Sequence, residues 1–493
     1  MIALILLFVL FSVILVTWFN FLRDANRISA KGPLPLPVIG NAHMFLSGSA
    51  KIMDIFHELK LEYGDAYRVH FLSNPYVILS HPKYIEPLVT SAELISKGRS
   101  YNYLKPWLGL GLLTASGQRW KTHRKFLTSA FHFNILQNFL PIFCKNSWIY
   151  TKKLRDLADG TPVDLFPITA LAALDNITES IMGVSVNAQT NSDSEYVKAI
   201  EQLAQIIALR IQVPIISPDF IFNLLPYKKK QDHALKVVHK QSRAVIEARK
   251  QELDKSNVTR LNKNEDIGIK NRNAFLDLLL LSEIDGEKID DEKVREEVDT
   301  FMFEGHDTTA SAVVYSLFCL SKHADVQEKM YEEQKSIFGD EMERDPTYAE
   351  LHQMKYLDMV LKECMRLYPP VPLVERLMVK DAQLGELKVI AGTLIILNIM
   401  ELHRNPDVFE DPLTFKPERF ESTAGRNPFS WLAFSAGPRN CIGQRFAIME
   451  LKVVISAVIR TLRMSPADIE PQLCADLVLR SNNGVHVRFE SRK

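Results

Sequence analysis

Cys441 lies in the run "FSAGPRNCIGQRFA", residues 434–447, with Gly437 and Gly443 on either side and Arg439 two residues ahead. Glycines allow tight turns and let backbone approach a flat ligand closely. Residues 442–461 have the pattern of a good helix, which places Cys441 at a helix N-terminus. Free N–H groups and the helix dipole there favour a thiolate, and a thiolate is a strong, soft metal ligand. A cysteine alone at a helix start would be a plain structural residue; the surrounding glycines and arginine argue against that. A second cluster, "FEGHDTT" at 303–309, sets Glu304, His306 and Asp307 ahead of the almost wholly apolar stretch 310–320. Buried carboxylates are costly unless something pairs with them or uses them. On its own, the heptad also fits a helix face turned to water.

Elements able to position such groups need a large core. The chain has 493 residues, 47% hydrophobic and 24% charged, which is enough to build one. Its 59 basic and 59 acidic side chains leave no formal net charge, and the only basic tract is the lysine run 228–230. No nucleic-acid partner is expected from that balance. The five cysteines (Cys144, Cys319, Cys364, Cys441, Cys474) are scattered without CxxC spacing, so a zinc site or disulfide framework is not expected. Four of them read as small core residues.

Residues 1–22, "MIALILLFVLFSVILVTWFNFL", carry no charged side chain, and about 20 apolar residues span a bilayer core. Arg23, Arg27 and Lys31 follow, which puts the remainder on the cytosolic side. A cleaved signal peptide would have basic residues ahead of the apolar stretch, so a retained anchor is expected. The sequons at Asn176 and Asn257 would then stay bare. The alternating prolines of "KGPLPLPVIGN" (31–41) predict a stiff spacer, which makes 23–41 a linker. Residues 66–80 read as a hairpin turning at 73–75. From Tyr227 to Asp345 there is no proline and the pattern is mostly helical, interrupted by a polar loop at 256–273. Residues 384–398 read as a second β pair split at Ala391-Gly392, and 403–440 as irregular coil. "ISPDFIFNLLPY" (216–227) fits either a core helix or a second membrane contact beside a substrate entrance. The fold class is mainly α with a small β portion, one large domain (42–493) behind an anchor (1–22).

The run Phe434–Gly443, of the form FxxGxRxCxG, resembles the haem-binding signature of the cytochrome P450 monooxygenases. Three further matches occur in the expected order. "ECMR" supplies Glu363 and Arg366, similar to the family's ExxR pair. "FKPERF" supplies Arg419, which in the family completes an ion-paired triad with them. "WKTHR" supplies Trp120 and Arg124, similar to a tryptophan and arginine that hold a haem propionate. The resemblance runs from about Pro33 to near the C-terminus. It implies a haem b whose iron is ligated by Cys441, with Arg439 also on a propionate.

By the same resemblance, Gly305, Asp307, Thr308 and Thr309 match a motif on a helix that crosses over the haem. There the glycine is expected to leave room for substrate and oxygen, and Asp307 and Thr308 to relay protons. His306 stands at the motif's variable position and is expected to be satisfied locally or turned outward. Glu304 departs from most of the family, which has alanine or glycine there. It is similar to one branch, the fatty-acid ω-hydroxylases with insect-type members included, whose signature reads here as "EVDTFMFEGHDTT" (297–309). In that branch the glutamate can be esterified to a haem methyl; the alternative is a free carboxylate bonded to nearby backbone.

The resemblance thus implies a monooxygenase that takes O2 and NADPH electrons through cytochrome P450 reductase, with cytochrome b5 as a further partner, at the endoplasmic reticulum membrane. Its substrate would be lipophilic: a fatty acid hydroxylated at or near the ω carbon, or else a terpenoid hormone, hydrocarbon or foreign compound. Apolar walls are expected around 104–116 and 371–377. Lys121, Lys125 and Arg445 would dock an acidic reductase face or simply be solvated. A haem-thiolate isomerase and a non-enzymatic haem carrier are the rival classes; neither requires the acid–threonine pair.

Overall fold

In the computed structural model, helix α1 (Ile2–Arg27) opens the chain. The structure describes residues 1–46, 51–72, 74–131, 133–191, 194–213, 215–256, 275–284, 287–422 and 424–492. An apolar stretch of α1 with mean hydropathy 2.9 is wholly unburied, and the helix is long and apolar enough to cross a membrane. Its last turns behave differently. Phe21 and Asp24 are only 2% and 3% exposed, and the Phe21 ring meets His70 edge-on at 4.9 Å. The Arg68 guanidinium donates to the carbonyls of Ala25, Ile28 and Ala30 at 3.2, 3.4 and 3.2 Å. The helix therefore continues five residues into the predicted 23–41 linker, and the rest of that segment lies against the body rather than standing free as a spacer. Its prolines hold it extended, which lets Lys31 and Gly40 bridge to the edge of a sheet.

That sheet contains the expected hairpin, β1 (Ala66–Phe71) with β2 (Asn74–Leu79). It continues with β3 (Leu373–Leu377) and β4 (Leu394–Asn398) in the order β1-β2-β4-β3. β4 runs parallel to β2 and antiparallel to β3. The predicted 384–398 pair is thus corrected. Ala382–Leu384 pairs with Leu387–Val389 around Gly385, while the continuously apolar Leu394–Leu397 run, suited to burial on both faces, joins the larger sheet.

Helices make up the body: α2 (Gly117–Thr128), α3 (Leu165–Ile177), α4 (Glu195–Gln212), α5 (Pro226–Lys255), α6 (Asp291–Lys322), α7 (Lys355–Leu367) and α8 (Gln444–Thr461). A late hairpin, β5 (Leu473–Ala475) with β6 (Leu479–Ser481), folds back onto α6. α6 is the central element. Asp290 caps it, its carboxylate accepting from the Lys293 amide at 2.9 Å, and nearly every side chain from Val294 to Ser321 is buried. Such all-round burial marks a helix inside the body rather than on its surface.

Cys144, Cys319, Cys364 and Cys474 are buried core residues, and Cys441 alone is accessible. Residues 216–227 are divided: Phe222 points inward, while Phe220 and Leu224 are 73% and 85% exposed. Asn176 is buried, its amide donating to Glu450 at 2.8 Å, so that sequon is closed to modification in the folded protein. The polar loop and Asn257 fall outside the described residues, apart from Ser256.

Candidate active site

α8 begins at Gln444, capped by Gly443, so Cys441 precedes the helix by a short turn rather than entering it at residue 442. The loop before it is held by Gly437, whose φ is +67°; a Cβ there would stand 1.8 Å from the Val89 carbonyl oxygen, which leaves no room for any other residue. The Cys441 amide donates back to the Phe434 carbonyl at 2.9 Å. Burial, joined by the Glu304 charge, pushes the thiol up to about 12, while the Gly443 amide and Arg124 act the other way. A cysteine that is accessible yet desolvated faces an interior space. Its thiolate form there requires a nearby positive charge, as a metal provides.

The opposite wall of that space is α6. Between Glu297 and Ser321, Glu304, Gly305 and Thr308 alone are half-buried. Residues four apart share a helix face, so Glu304 and Thr308 open together; the Thr308 hydroxyl donates to the Glu304 carbonyl at 2.5 Å. Burial raises the Glu304 carboxyl to about 7, against the pull of Lys97, Arg124 and Arg439. Asp307 turns away from this face and pairs with Arg480 of β6. His306 is buried beside Ala170 of α3, its pKa driven down to about 4 by desolvation, which keeps the imidazole neutral. Gly305 corrects an expectation. A Cβ at 305 would lie 2.4 Å from Ile177 Cδ1, so the glycine admits α3 against α6 rather than clearing space above the cysteine.

Between the two walls stands a set of cations. The Arg439 guanidinium lies 4.1 Å above the Trp120 ring and donates to the carbonyls of Ile95, Leu112 and Ala115 at 3.1, 3.4 and 2.5 Å. Arg124 donates to the Asn440 carbonyl at 2.8 Å and its side-chain oxygen at 2.6 Å. Two residues missing from the sequence expectations join them: Lys97, 4.3 Å above the Tyr101 ring, and Arg376 of β3, beside the Tyr101 hydroxyl. Their available signal was a lone cation in or beside an apolar strand, where an unpaired charge is expensive. Burial and mutual repulsion depress both Lys97 and Arg439, the latter to about 9. Among the described residues none of these four cations has an ion-pair partner. A group bearing two carboxylates would satisfy them, and a haem, with two propionates and an iron for Cys441, fits the space.

Behind the cysteine, Glu363 and Arg366 of α7 are fully buried and joined by two bonds of 2.7 and 2.8 Å. Arg419 adds a third at 3.0 Å, and Arg366 also donates to the carbonyls of His403, Pro412 and Thr414. The triad read from the sequence is therefore assembled, and its donors are spent on holding the coil that leads to Cys441. Two more pairs tie α2 to α6: His123 with Glu297 at 2.6 Å and Arg119 with Glu296 at 2.5 Å. Trp107, in the stretch 104–116, is buried in the core, its ring 4.5 Å from Phe303.

Proteins that hold a haem through a cysteine thiolate form the haem-thiolate class, and the space between α6 and the Cys441 loop is built for that cofactor. The family model described as Cytochrome P450 matches residues 30–488, and the chain belongs to that family. It is 39% identical to Cytochrome P450 4d2 of Drosophila melanogaster over 99% of both chains. It is also 39% identical to Cytochrome P450 4c3 of the same fly, over 94% of this chain and 89% of the relative. To Cytochrome P450 4c21 of Blattella germanica it is 41% identical over 88% and 87%. The protein is accordingly a haem-dependent monooxygenase, an oxidoreductase that uses O2 and electrons delivered by a redox partner.

Proposed function

We propose that this monooxygenase hydroxylates a fatty acid at or near its ω carbon. The observation that supports this reading is Glu304, a carboxyl on the α6 face that opens toward Cys441, where the family's small residue would leave the wall apolar. Esterified to a haem methyl, it would lose its charge and fix the cofactor rigidly. Cys441 would ligate the iron, and Trp120, Arg124 and Arg439, with Lys97 and Arg376, would bind the propionates. The bound haem supplies oxygen activation, with one oxygen atom inserted into a C–H bond and the other released as water. Asp307 and Thr308 supply the protons. Apolar walls around 104–116 and 371–377 would align the chain, so that orientation rather than bond strength selects its end. Glu363, Arg366 and Arg419 are structural.

Electrons come from NADPH through cytochrome P450 reductase, docked on the exposed Lys121, Lys125 and Arg445, with cytochrome b5 as a second donor. α1 anchors residues 42–493 to the endoplasmic reticulum membrane, and exposed Phe220 and Leu224 add a second lipid contact. The same apolar walls would also admit terpenoids, hydrocarbons or foreign compounds. The deciding experiment is a product profile with reductase, NADPH and a panel of fatty acids and terpenoids, with Cys441→Ala as blank. Terminal alcohols from fatty acids are expected; terpenoid products alone, or scattered hydroxylation, would overturn the ω assignment.

A further inference from the structure

Asp307, read above as a proton carrier, is held from a distance in the chain. Its Oδ1 pairs with Arg480 of β6, while its Oδ2 is buried with no hydrogen-bond partner. β6 is fastened to the same helix by the Ser311 hydroxyl, which donates to the Leu479 carbonyl at 2.9 Å. Arg480 itself lies 4.8 Å over the Phe166 ring, which limits where its guanidinium can go. In the turn between β5 and β6 stands Asp476. It lines a pocket of about 310 Å³ together with Gln202, Gln205, Gln212, Lys230 and Asn482. Gln205 and Lys230 are exposed, so the pocket meets solvent. A polar cavity of that size holds several waters.

Asp476 has no ion pair among the described residues, and the largest charge effect on it is that of Arg480. Two acids thus depend on one arginine. Burial, Asp307 and Glu201 together push Asp476 up to about 6. The other titratable groups around the pair are Lys230 at the pocket rim, Cys474, His306 and Tyr315. Burial keeps Cys474, His306 and Tyr315 neutral near pH 7.

We propose that Asp476 is the inlet for protons bound for Asp307, and that Arg480 is the positioning residue that exchanges one carboxylate for the other. One proton leaves the Asp476 carboxyl and is taken up at Oδ2 of Asp307, the buried oxygen that has no hydrogen-bond partner. Arg480, which keeps its own protons, then releases the neutral Asp307 and pairs with the anionic Asp476. The charge of the trio is unchanged, and Asp476 is reprotonated from the pocket. The inlet rests on the reading that Asp307 supplies protons to the site.

The test uses full-length protein in nanodiscs with reductase and NADPH, comparing Asp476→Asn, Asp476→Glu, Arg480→Lys and Asp307→Asn. In the wild type, product per NADPH falls as pH rises through about 6. In Asp476→Asn that limb disappears, coupling drops about tenfold and the solvent isotope effect rises about twofold, since a positioned donor has been lost. Asp476→Glu restores the limb, and Arg480→Lys, with a single ammonium for two acids, shifts it. Without turnover, infrared difference spectra should show a protonated carboxyl that titrates near pH 6 and is absent from Asp476→Asn. An Asp476→Asn protein with wild-type pH profile and isotope effect, while Asp307→Asn is uncoupled, would overturn the inlet alone. If Asp307→Asn also couples normally, the proton role of Asp307 falls and the inlet with it.

Discussion

Glu450 sits fully buried in α8 with the Asn176 amide as its hydrogen-bond partner, and burial pushes its carboxyl up to about 8. The folded state therefore binds this proton more tightly than the unfolded chain, whose ordinary value is 4.5. Stability from this residue is intact below 4.5 and is lost as pH rises to about 8, at about 1.4 kcal/mol per unit. Glu450→Gln keeps an acceptor for Asn176 and should flatten that slope, raising the melting temperature at alkaline pH and hardly changing it in acid. Arg366→Met removes two of the three ion-pair hydrogen bonds to the buried Glu363 and leaves the one from Arg419, which should cost about 3–5 kcal/mol, read as a lowered denaturant midpoint. Such residues are legible in sequence for a simple reason. Cys441 with its glycines, and Glu363 with Arg366, are near neighbours along the chain, so spacing alone exposes them. Lys97 and Arg376 meet only through an isolated bridge between distant segments, and no local pattern announces that they belong together.

At the scale of elements, the contact of α3 with α6 depends on Gly305. Gly305→Ala places a methyl 2.4 Å from Ile177 Cδ1, a clash that should cost about 1–3 kcal/mol. The obstacle is Cδ1 and Cγ1 of Ile177, 2.4 and 2.8 Å away; Ile177→Ala removes both, so the two changes together should cost less than their sum, which a double-mutant cycle by chemical denaturation would show. The helices were readable from their periodicity and from the absence of proline between Tyr227 and Asp345. The sheet was harder. Leu394–Asn398 is β-prone by composition, yet its partners are strands far away in sequence, and a pairing of that kind leaves no trace in local pattern. Asp307 shows the same limit: its motif marks it as chemical, but only the position of β6 reveals that it is held by Arg480.

For the molecule as a whole, the junction between α1 and the body is a packed joint. Removing residues 2–20 should leave the melting temperature of the body nearly unchanged, because those side chains are mostly exposed, whereas Phe21→Ala empties a filled site against His70. That change should cost about 3–5 kcal/mol of local packing, and polarised spectroscopy on oriented bilayers would detect it as a broader distribution of body tilt. Length and hydropathy marked α1 as a helix able to cross a membrane; its seat on Arg68 and His70 was hidden, since proline-rich sequence reads equally well as a free tether. The seat also governs how the protein meets its electron donor. A body on a loose tether tumbles about three axes, and most of its collisions present the wrong side. Seated on α1, and with α1 in a bilayer as proposed, it would keep only rotation about the membrane normal and drift within the plane. Partners confined to the same sheet then search two coordinates of position and one of heading, as discs on a table rather than spheres in a flask.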